Sequence, residues 1–429
     1  MHEFKYIGND LCCEDVKVAD TAKEFSTPLY LYSSRTLLDH YNKLRDAFSQ
    51  VKPLICFSMK ANSSLALCKI LTGKGAGLDI VSGGELFKAL HIGVDPRRIV
   101  YASIGKTAQE IEYAISSGIF LFNVESIPEL EMLDSIASRL AKKVDVSLRL
   151  NPQIDPKTHS YISTARDMDK FGLDIATCKK IYLGASKFVN LNLVGLHIHI
   201  GSQIVDSKPF IMAIDKAVTL IEELRREGSR VEWLNIGGGL GIIYHQEKPQ
   251  TAKEFAKQIL PLLRKVNLKI ILEPGRFIAG NSGILVTKVI YVKRTPFRNF
   301  IIVDAGMNDL IRPSLYDAYH QVLPVVRTMH DASQGFAQDR QRTTKYDIVG
   351  PLCESGDFLA KDRPMASVQA GDLLAVMGAG AYGFTMSSNY NSRPRPAEAL
   401  VMKGKSYLIR ERESYQDLIK GELIPDDLL

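Results

Sequence analysis

The chain has 429 residues, 45% of them hydrophobic and 24% charged, with a formal charge of +6. That length exceeds a usual single core, so two domains are expected, and the scattered charge, with no basic stripe carrying aromatics, argues against a nucleic-acid partner. No apolar run reaches about 18 residues, and the start MHEFKYIGNDLCCEDV lacks a charged-then-apolar signal pattern, so neither a membrane partner nor secretion is expected.

In chain order, the adjacent pair Cys12 and Cys13 comes first, with Cys56, Cys68, Cys178 and Cys353 following at spacings that suit neither zinc nor a disulfide framework. A reducing, cytoplasmic location is the expectation. Residues before about Pro28 show little helical period, and TPLYLYS reads as a strand leading into a helix from Arg35. Eight short apolar runs then follow, each ending on a residue capable of chemistry. They are LICFS before Lys60, LDIVSG with Asp79, RIVYAS with Ser103, FLFNVE with Glu125, VDVSLRLNP with Arg149, LVGLHIHIGS with His199 and Ser202, WLNIGGGLG with Gly237 to Gly241, and KIILEPGR with Glu273 and Arg276.

Such aliphatic runs, separated by helical stretches, predict parallel strands buried on both faces. AQEIEYAISSG at 108–118 and KAVTLIEELRREG at 216–228 carry the helical period and stop near glycine. The expected fold is α/β: an N-terminal (β/α)8 barrel over 28–276, whose strands all point their C-terminal ends at one mouth. The polar connection QIDPKTHSYISTARDMDKFGLD is expected to overhang that mouth as a loop. After Arg276 come GILVTKVIYVKR, FIIVDAG, YDIVGPLC and DLLAVMGAGAYGF. These predict a C-terminal β-rich domain over 277–429, completed by residues 1–27 through a strand near Phe4 to Ile7. The charged tail after Arg410 suits a short helix.

A lysine at the chemical mouth can form a Schiff base with an aldehyde cofactor when desolvation and nearby cations hold its amine neutral. A solvated strand-end lysine is the alternative for Lys60, and its place after a wholly apolar strand favours the first reading. His197 and His199 alternate onto one face. A metal pair lacks evident further ligands, so no metal is expected; one imidazole lying flat on an aromatic ring, with Ser202 on phosphate, is preferred, and His197 stays open as a buried structural residue. In Gly237, Gly238 and Gly239 bare backbone lets N–H groups close on a phosphate, near the seventh and eighth strands where barrels commonly hold one. Glu273 either keeps a pyridine nitrogen protonated or pairs with Arg276, and Arg276 could instead clasp phosphate or a substrate carboxylate. Cys353, Glu354, Tyr382, Arg312 and Tyr316 read singly as surface or packing residues.

The motifs FSMKAN, SGGEL, NPQIDPKTHSYISTARDMDKFG, GLHIHIGSQ, NIGGGLG, EPGR, DAGMNDLIRPSLYDAYH, GPLCESGDFLA and GAGAYGFTMSSNYNSRPRP resemble, over nearly the whole length, the diaminopimelate decarboxylase family of the alanine-racemase-like (fold type III) pyridoxal-phosphate enzymes. The resemblance implies decarboxylation of meso-2,6-diaminopimelate to L-lysine and CO2, the last step of lysine biosynthesis, with pyridoxal 5'-phosphate as cofactor. It implies that Lys60 carries the cofactor, with Asp79 and Arg149 in its site, and that His199 stacks on the ring. Ser202, Gly237 to Gly239 and the EPGR backbone at Gly275 hold phosphate, and Glu273 faces the ring nitrogen. Arg276, Arg312 and Tyr316 take substrate carboxylate, Glu354 the distal ammonium, and Tyr382 touches both cofactor and substrate. Cys353 is the implied proton donor, reaching the site from a second subunit, so a homodimer with shared sites is implied. SGGELFKALHIG departs slightly from the usual alanines after EL, without evident consequence. The segment 330–347 is less typical.

Polyamine-precursor or arginine decarboxylases act on substrates without a distal carboxylate, which Arg312 with Tyr316 opposes. A racemase prefers an arginine at the ring nitrogen, which Glu273 opposes. A non-catalytic homologue would have lost Lys60 or Cys353, and both are present.

Overall fold

The computed structural model describes residues 2–155, 170–327 and 344–428. Two compact units emerge, one of Leu37–Ile278 and the other of Met1–Thr36 with Ala279–Leu429. The parts of the fifth-to-sixth barrel connection at 156–169 and of the segment 330–347 up to residue 343 lie outside the described residues.

In the first unit the eight apolar runs form a closed barrel. Its strands are Leu54–Ser58, Gly77–Ile80, Ile99–Tyr101, Leu121–Val124, Val144–Arg149, Leu191–His197, Trp233–Asn235 and Lys269–Leu272. All neighbours run parallel, and the eighth closes on the first through Ile271–Leu54 and Leu272–Ile55. Cys56, Val100, Leu121 and Ile271, with Leu54, Phe120, Val194 and Trp233 packed against them, form an apolar cluster. Two residues onward along these strands come Ser58, Asn123, Asn235 and Glu273, all 2% exposed or less. Period-two alternation thus stacks a polar layer on an apolar one, at the C-terminal ends of the strands.

Local chemistry starts the helices that follow. Ser82, Thr107, Ser126 and Thr251 each accept a hydrogen bond from the backbone N–H of a glutamate three residues on, Glu85, Glu110, Glu129 and Glu254. At Thr107 and Thr251 the glutamate reaches back to close a full capping box, a device worth about 1 kcal/mol. The predicted helix at 108–118 is Ala108–Ser117, stopped by Gly118 at φ 72°, and KAVTLIEELRREG falls in Lys208–Arg226. No helix among the described residues is long and apolar enough to cross a membrane.

The second unit is β-rich. Its large sheet runs in the order Phe358–Met365, Thr344–Val349, Asn299–Val303, Gly283–Arg294, Leu29–Ser33, Ala397–Met402, Lys405–Arg410. The N-terminal segment completes this unit as expected, and it does so through a second strand as well. Phe4–Ile7 pairs with Asp10–Cys13 in a separate three-stranded sheet with Val16–Lys17, while Leu29–Ser33 enters the large sheet between Gly283–Arg294 and Ala397–Met402. Phe4, Leu11 and Cys13 instead pack in one core cluster with Leu29, Leu31, Ile284, Val286, Ala399 and Val401. The early residues therefore complete the core, and the later strand completes the sheet. After Arg410 the described tail forms a short α-helix, Tyr415–Leu418, and a single 3₁₀ turn, Asp426–Leu428.

Candidate active site

The polar layer of the barrel gathers the residues marked by sequence. Lys60 follows the first strand in a turn, and its Nζ lies 3.3 Å from Asp79 Oδ2 on the second. Ser58 donates to the same oxygen at 2.5 Å. Asp79 is fully buried, and its other oxygen, Oδ1, has no hydrogen-bond partner. Burial and the charge of Glu273 push its carboxyl up to about 6, with Lys60 and Ser58 pulling only partly back. Lys60 keeps a third of its side-chain surface exposed. An amine with that access, held by one buried carboxylate, can be reached by a small molecule.

Glu273, at the end of the eighth strand, is 2% exposed. Its Oε1 accepts from Asn123 Nδ2 at 3.0 Å and from Asn235 Nδ2 at 2.5 Å. His197 Nε2 stands 3.2 Å from Oε2. Burial pushes this carboxyl upward, but His197, Lys60 and the Asn235 amide outweigh it and hold it well below the usual carboxylate range. Arg276 is not its partner: Arg276 donates to Ser202 Oγ at 3.1 Å and to Tyr244 Oη at 2.7 Å. The ion-pair alternative for Glu273 and Arg276 therefore gives way to two separate assignments.

His199 accepts at Nδ1 from the Gly238 N–H, 3.2 Å away, so its remaining proton sits on Nε2. Burial, Lys60 and Arg149 push the imidazole well below its ordinary value, which leaves a neutral aromatic plate. The glycine run is shaped as much by its own neighbours as by any ligand. A Cβ on Gly237 would meet Ile198 O at 2.6 Å, on Gly238 Glu273 O at 2.1 Å, and on Gly239 Gly201 O at 2.5 Å. Gly237 and Gly239 also have φ of +66° and +113°, where side chains are strained. Gly275 is crowded by Ala61 Cβ at 2.9 Å. Only bare backbone lets the sixth, seventh and eighth strand ends approach so closely.

Arg149 is 6% exposed and donates to Glu125 Oε1 at 2.8 Å and to His199 O at 3.4 Å. Glu125 thus anchors Arg149, while Ser103 offers its carbonyl to the buried Lys106 ammonium at 2.7 Å. Both have structural partners. Among the described residues no group of three or more His, Cys, Asp and Glu side chains could hold a metal.

In the β-rich unit, the short helix Arg312–Tyr316 carries two of the marked residues. Arg312 is 6% exposed, and its Nη1 lies 2.8 Å from His320 Nε2, whose Nδ1 lies 2.8 Å from Met377 O. Ser314 Oγ donates to Gly356 O at 2.6 Å, tying the helix to the segment of Cys353 and Glu354. Cys353 is exposed, and its N–H donates to Asn391 Oδ1 at 3.0 Å. Tyr382 takes φ +56° between Gly380 and Gly383, a left-handed conformation uncommon for an aromatic residue and worth attention as a functional constraint. All six cysteines are unbridged.

Asn123, Asn235, Ser58, Tyr244 and His320 were not marked by sequence. The signal for the two asparagines was available: a lone amide in an otherwise apolar parallel strand must find a partner inside.

Comparison with known proteins adds to this geometry. The family described as "Pyridoxal-dependent decarboxylase, pyridoxal binding domain" matches residues 34–280. A diaminopimelate decarboxylase of Aquifex aeolicus is 49% identical over 420 residues, covering 98% of this chain and 97% of that one. The crystal structure of diaminopimelate decarboxylase from M. jannaschii in co-complex with L-lysine superposes with a TM-score of 0.93 at 36% identity, covering 100% of both chains. That of the Helicobacter pylori enzyme complexed with L-lysine gives 0.88 at 38% identity, covering 94% of this chain and 98% of that one.

Proposed function

The chain belongs to the diaminopimelate decarboxylases among the pyridoxal-dependent decarboxylases, and from that premise we propose how its residues turn meso-2,6-diaminopimelate into L-lysine and CO2. The donor set fits pyridoxal 5'-phosphate: a reachable lysine amine, a neutral imidazole, a glycine cradle without Cβ atoms, and a buried ionised carboxylate. When bound, that cofactor supplies an electron sink for the bond to the departing carboxylate.

Lys60 holds the cofactor through its amine, and Asp79 keeps that amine in place. His199 presents its neutral face to the ring, and Arg149, fixed by Glu125, holds the His199 backbone. Ser202, the N–H groups of Gly237, Gly238 and Gly239, Gly275 and Arg276 take the phosphate, and Tyr382 closes on cofactor and substrate. Glu273 keeps the ring nitrogen cationic. Arg276, Arg312 and Tyr316 take substrate carboxylate, and Glu354 takes the distal ammonium, which selects a substrate with two amino-acid ends. Cys353 gives its proton to the α-carbon after CO2 leaves. Its exposure in a single chain supports a supply of this residue, with Glu354, by a second copy. The working form is then a cytoplasmic homodimer with shared sites. The barrel unit, Leu37–Ile278, is the cofactor domain, and the β-rich unit, Met1–Thr36 with Ala279–Leu429, supplies substrate and dimer contacts.

The observation that carries this reading is Glu273, buried and held ionised beside the Lys60–Asp79 pair. Release of CO2 and lysine from meso-diaminopimelate, dependent on added cofactor and exceeding turnover of lysine, ornithine and arginine, is the expected result. Equal rates on ornithine would overturn the substrate assignment.

A further inference from the structure

A buried carboxylate facing a buried pyridine nitrogen poses a proton-placement problem. In a low-dielectric interior the neutral pair, with the proton on the carboxylate, is favoured over the charged pair. The ring is a strong electron sink only when the proton stays on nitrogen. Something must therefore make Glu273 a poor base. Its two oxygens offer about four acceptor positions. Asn123 and Asn235 occupy both on Oε1, at 3.0 and 2.5 Å. On Oε2, His197 Nε2 stands at 3.2 Å, and one position remains.

His197 has no other evident employment. It is 1% exposed, and neither ring nitrogen makes a hydrogen bond of good geometry. An idle buried imidazole costs stability, on the order of 1–3 kcal/mol for an unsatisfied buried group. Nε2 faces Glu273 Oε2 at 3.2 Å. The sixth strand sets His197 in register with Asn235 on one side and Arg149 on the other. Lys60, Asp79, His199 and Cys56 are the other titratable groups whose charges bear on this cluster.

We propose that His197, with Asn123 and Asn235, forms a three-donor clamp on Glu273 that keeps the shared proton on the cofactor's ring nitrogen. His197 is a positioning residue, acting through Glu273 on the chemistry. The proposal rests on the assignment of Glu273 to the ring nitrogen.

Holoenzyme carrying cofactor labelled with 15N at the ring nitrogen tests it, with the nitrogen shift followed from about pH 6 to 9 beside the visible absorbance. In wild type and in His197→Gln, which retains an N–H donor, the ring nitrogen stays protonated. In His197→Phe the shared proton moves onto Glu273, so the nitrogen shift lies toward that of an unprotonated ring across the whole pH range, while the visible band from the Lys60 linkage persists. kcat falls on the order of tenfold or more, with KM little changed. Asn123→Leu removes a donor from the other oxygen and moves the nitrogen shift the same way, so the idea stays testable even if His197→Phe does not fold. A wild-type nitrogen shift throughout the pH range in the folded donor variants overturns the clamp. Glu273→Gln separates the two levels: a wild-type nitrogen shift in that variant overturns the assignment of Glu273 itself, whatever the clamp variants show.

Discussion

In the β-rich unit two buried carboxylates sit in closed networks, although Asn308 Oδ1 and Arg363 Nε there lack a partner. Glu398, 1% exposed, accepts from Tyr32 Oη at 2.7 Å and from Arg410 Nε at 2.6 Å. Glu14, equally buried, accepts from Ser33, Ser34 and the Arg35 backbone. The polar layer of the barrel is different. Asp79 Oδ1, Asn123 Oδ1, Ser147 Oγ and His197 Nδ1 lie buried without a hydrogen-bond partner. Folding alone explains the first pattern, because unpaired buried polarity is costly. The second pattern marks groups whose positions are set for something other than stability.

The largest effect that would sharpen this contrast is on Lys60. Lys60→Ala is expected to abolish the visible absorbance of the cofactor-loaded protein and to lower turnover on the order of 10³-fold or more. An unchanged visible band in that variant would break the assignment. Next comes Asp79, where burial, Glu273 repulsion and partial relief by Lys60 leave a folded-state value of about 6 against an ordinary 3.8. Below both values the carboxyl is protonated folded or unfolded, so it costs nothing. Above about 6 the fold must carry the buried charge. Stability of the cofactor-free chain therefore falls between about pH 4 and pH 6, by roughly 2–3 kcal/mol. Asp79→Asn should remove that slope in urea titrations, and a slope that survives would show that another group owns it.

A smaller effect is expected at Glu398, whose arginine partner is partly exposed. Glu398→Ala should cost about 2 kcal/mol through the stranded Tyr32 hydroxyl, leaving turnover per folded molecule unchanged; lost turnover would contradict the purely structural reading. The smallest effect is at Gly84, read against Gly238. A Cβ on Gly84 meets nothing closer than Ser82 Oγ at 3.8 Å, so Gly84→Ala, inside the helix Gly83–His91, should stabilise by up to about 1 kcal/mol. Gly238→Ala forces Glu273 O aside and should destabilise by about 1–3 kcal/mol while weakening cofactor binding. Thermal melts with and without cofactor distinguish the pair.

The barrel strands were legible because a parallel strand covered on both faces is mostly apolar, and several runs break off at a polar residue such as Ser58, Arg149 or Glu273. What escaped was the inside of those runs. Asn123 and Asn235 sit within apolar text, where neither a strand end nor a motif boundary marks them. The pairing of Phe4–Ile7 was illegible for another reason: a four-residue strand carries no local mark of which distant strand it will meet. The glycine run was readable as bare backbone near phosphate. Its second cause, the close approach of Ile198, Gly201 and Glu273 carbonyls, needs three strand ends in space at once.

Asp174 accepts from the Thr177 N–H and so begins the helix Ile175–Leu183 with its own cap. The residue just before it, Leu173, donates to Arg149 O and accepts from the Asn151 N–H, both at 2.8 Å, so the helix is fastened to the end of the fifth strand as well as capped. A helix begun in this way inherits its position from the barrel wall, and the strand that follows it is delivered to the wall already aligned.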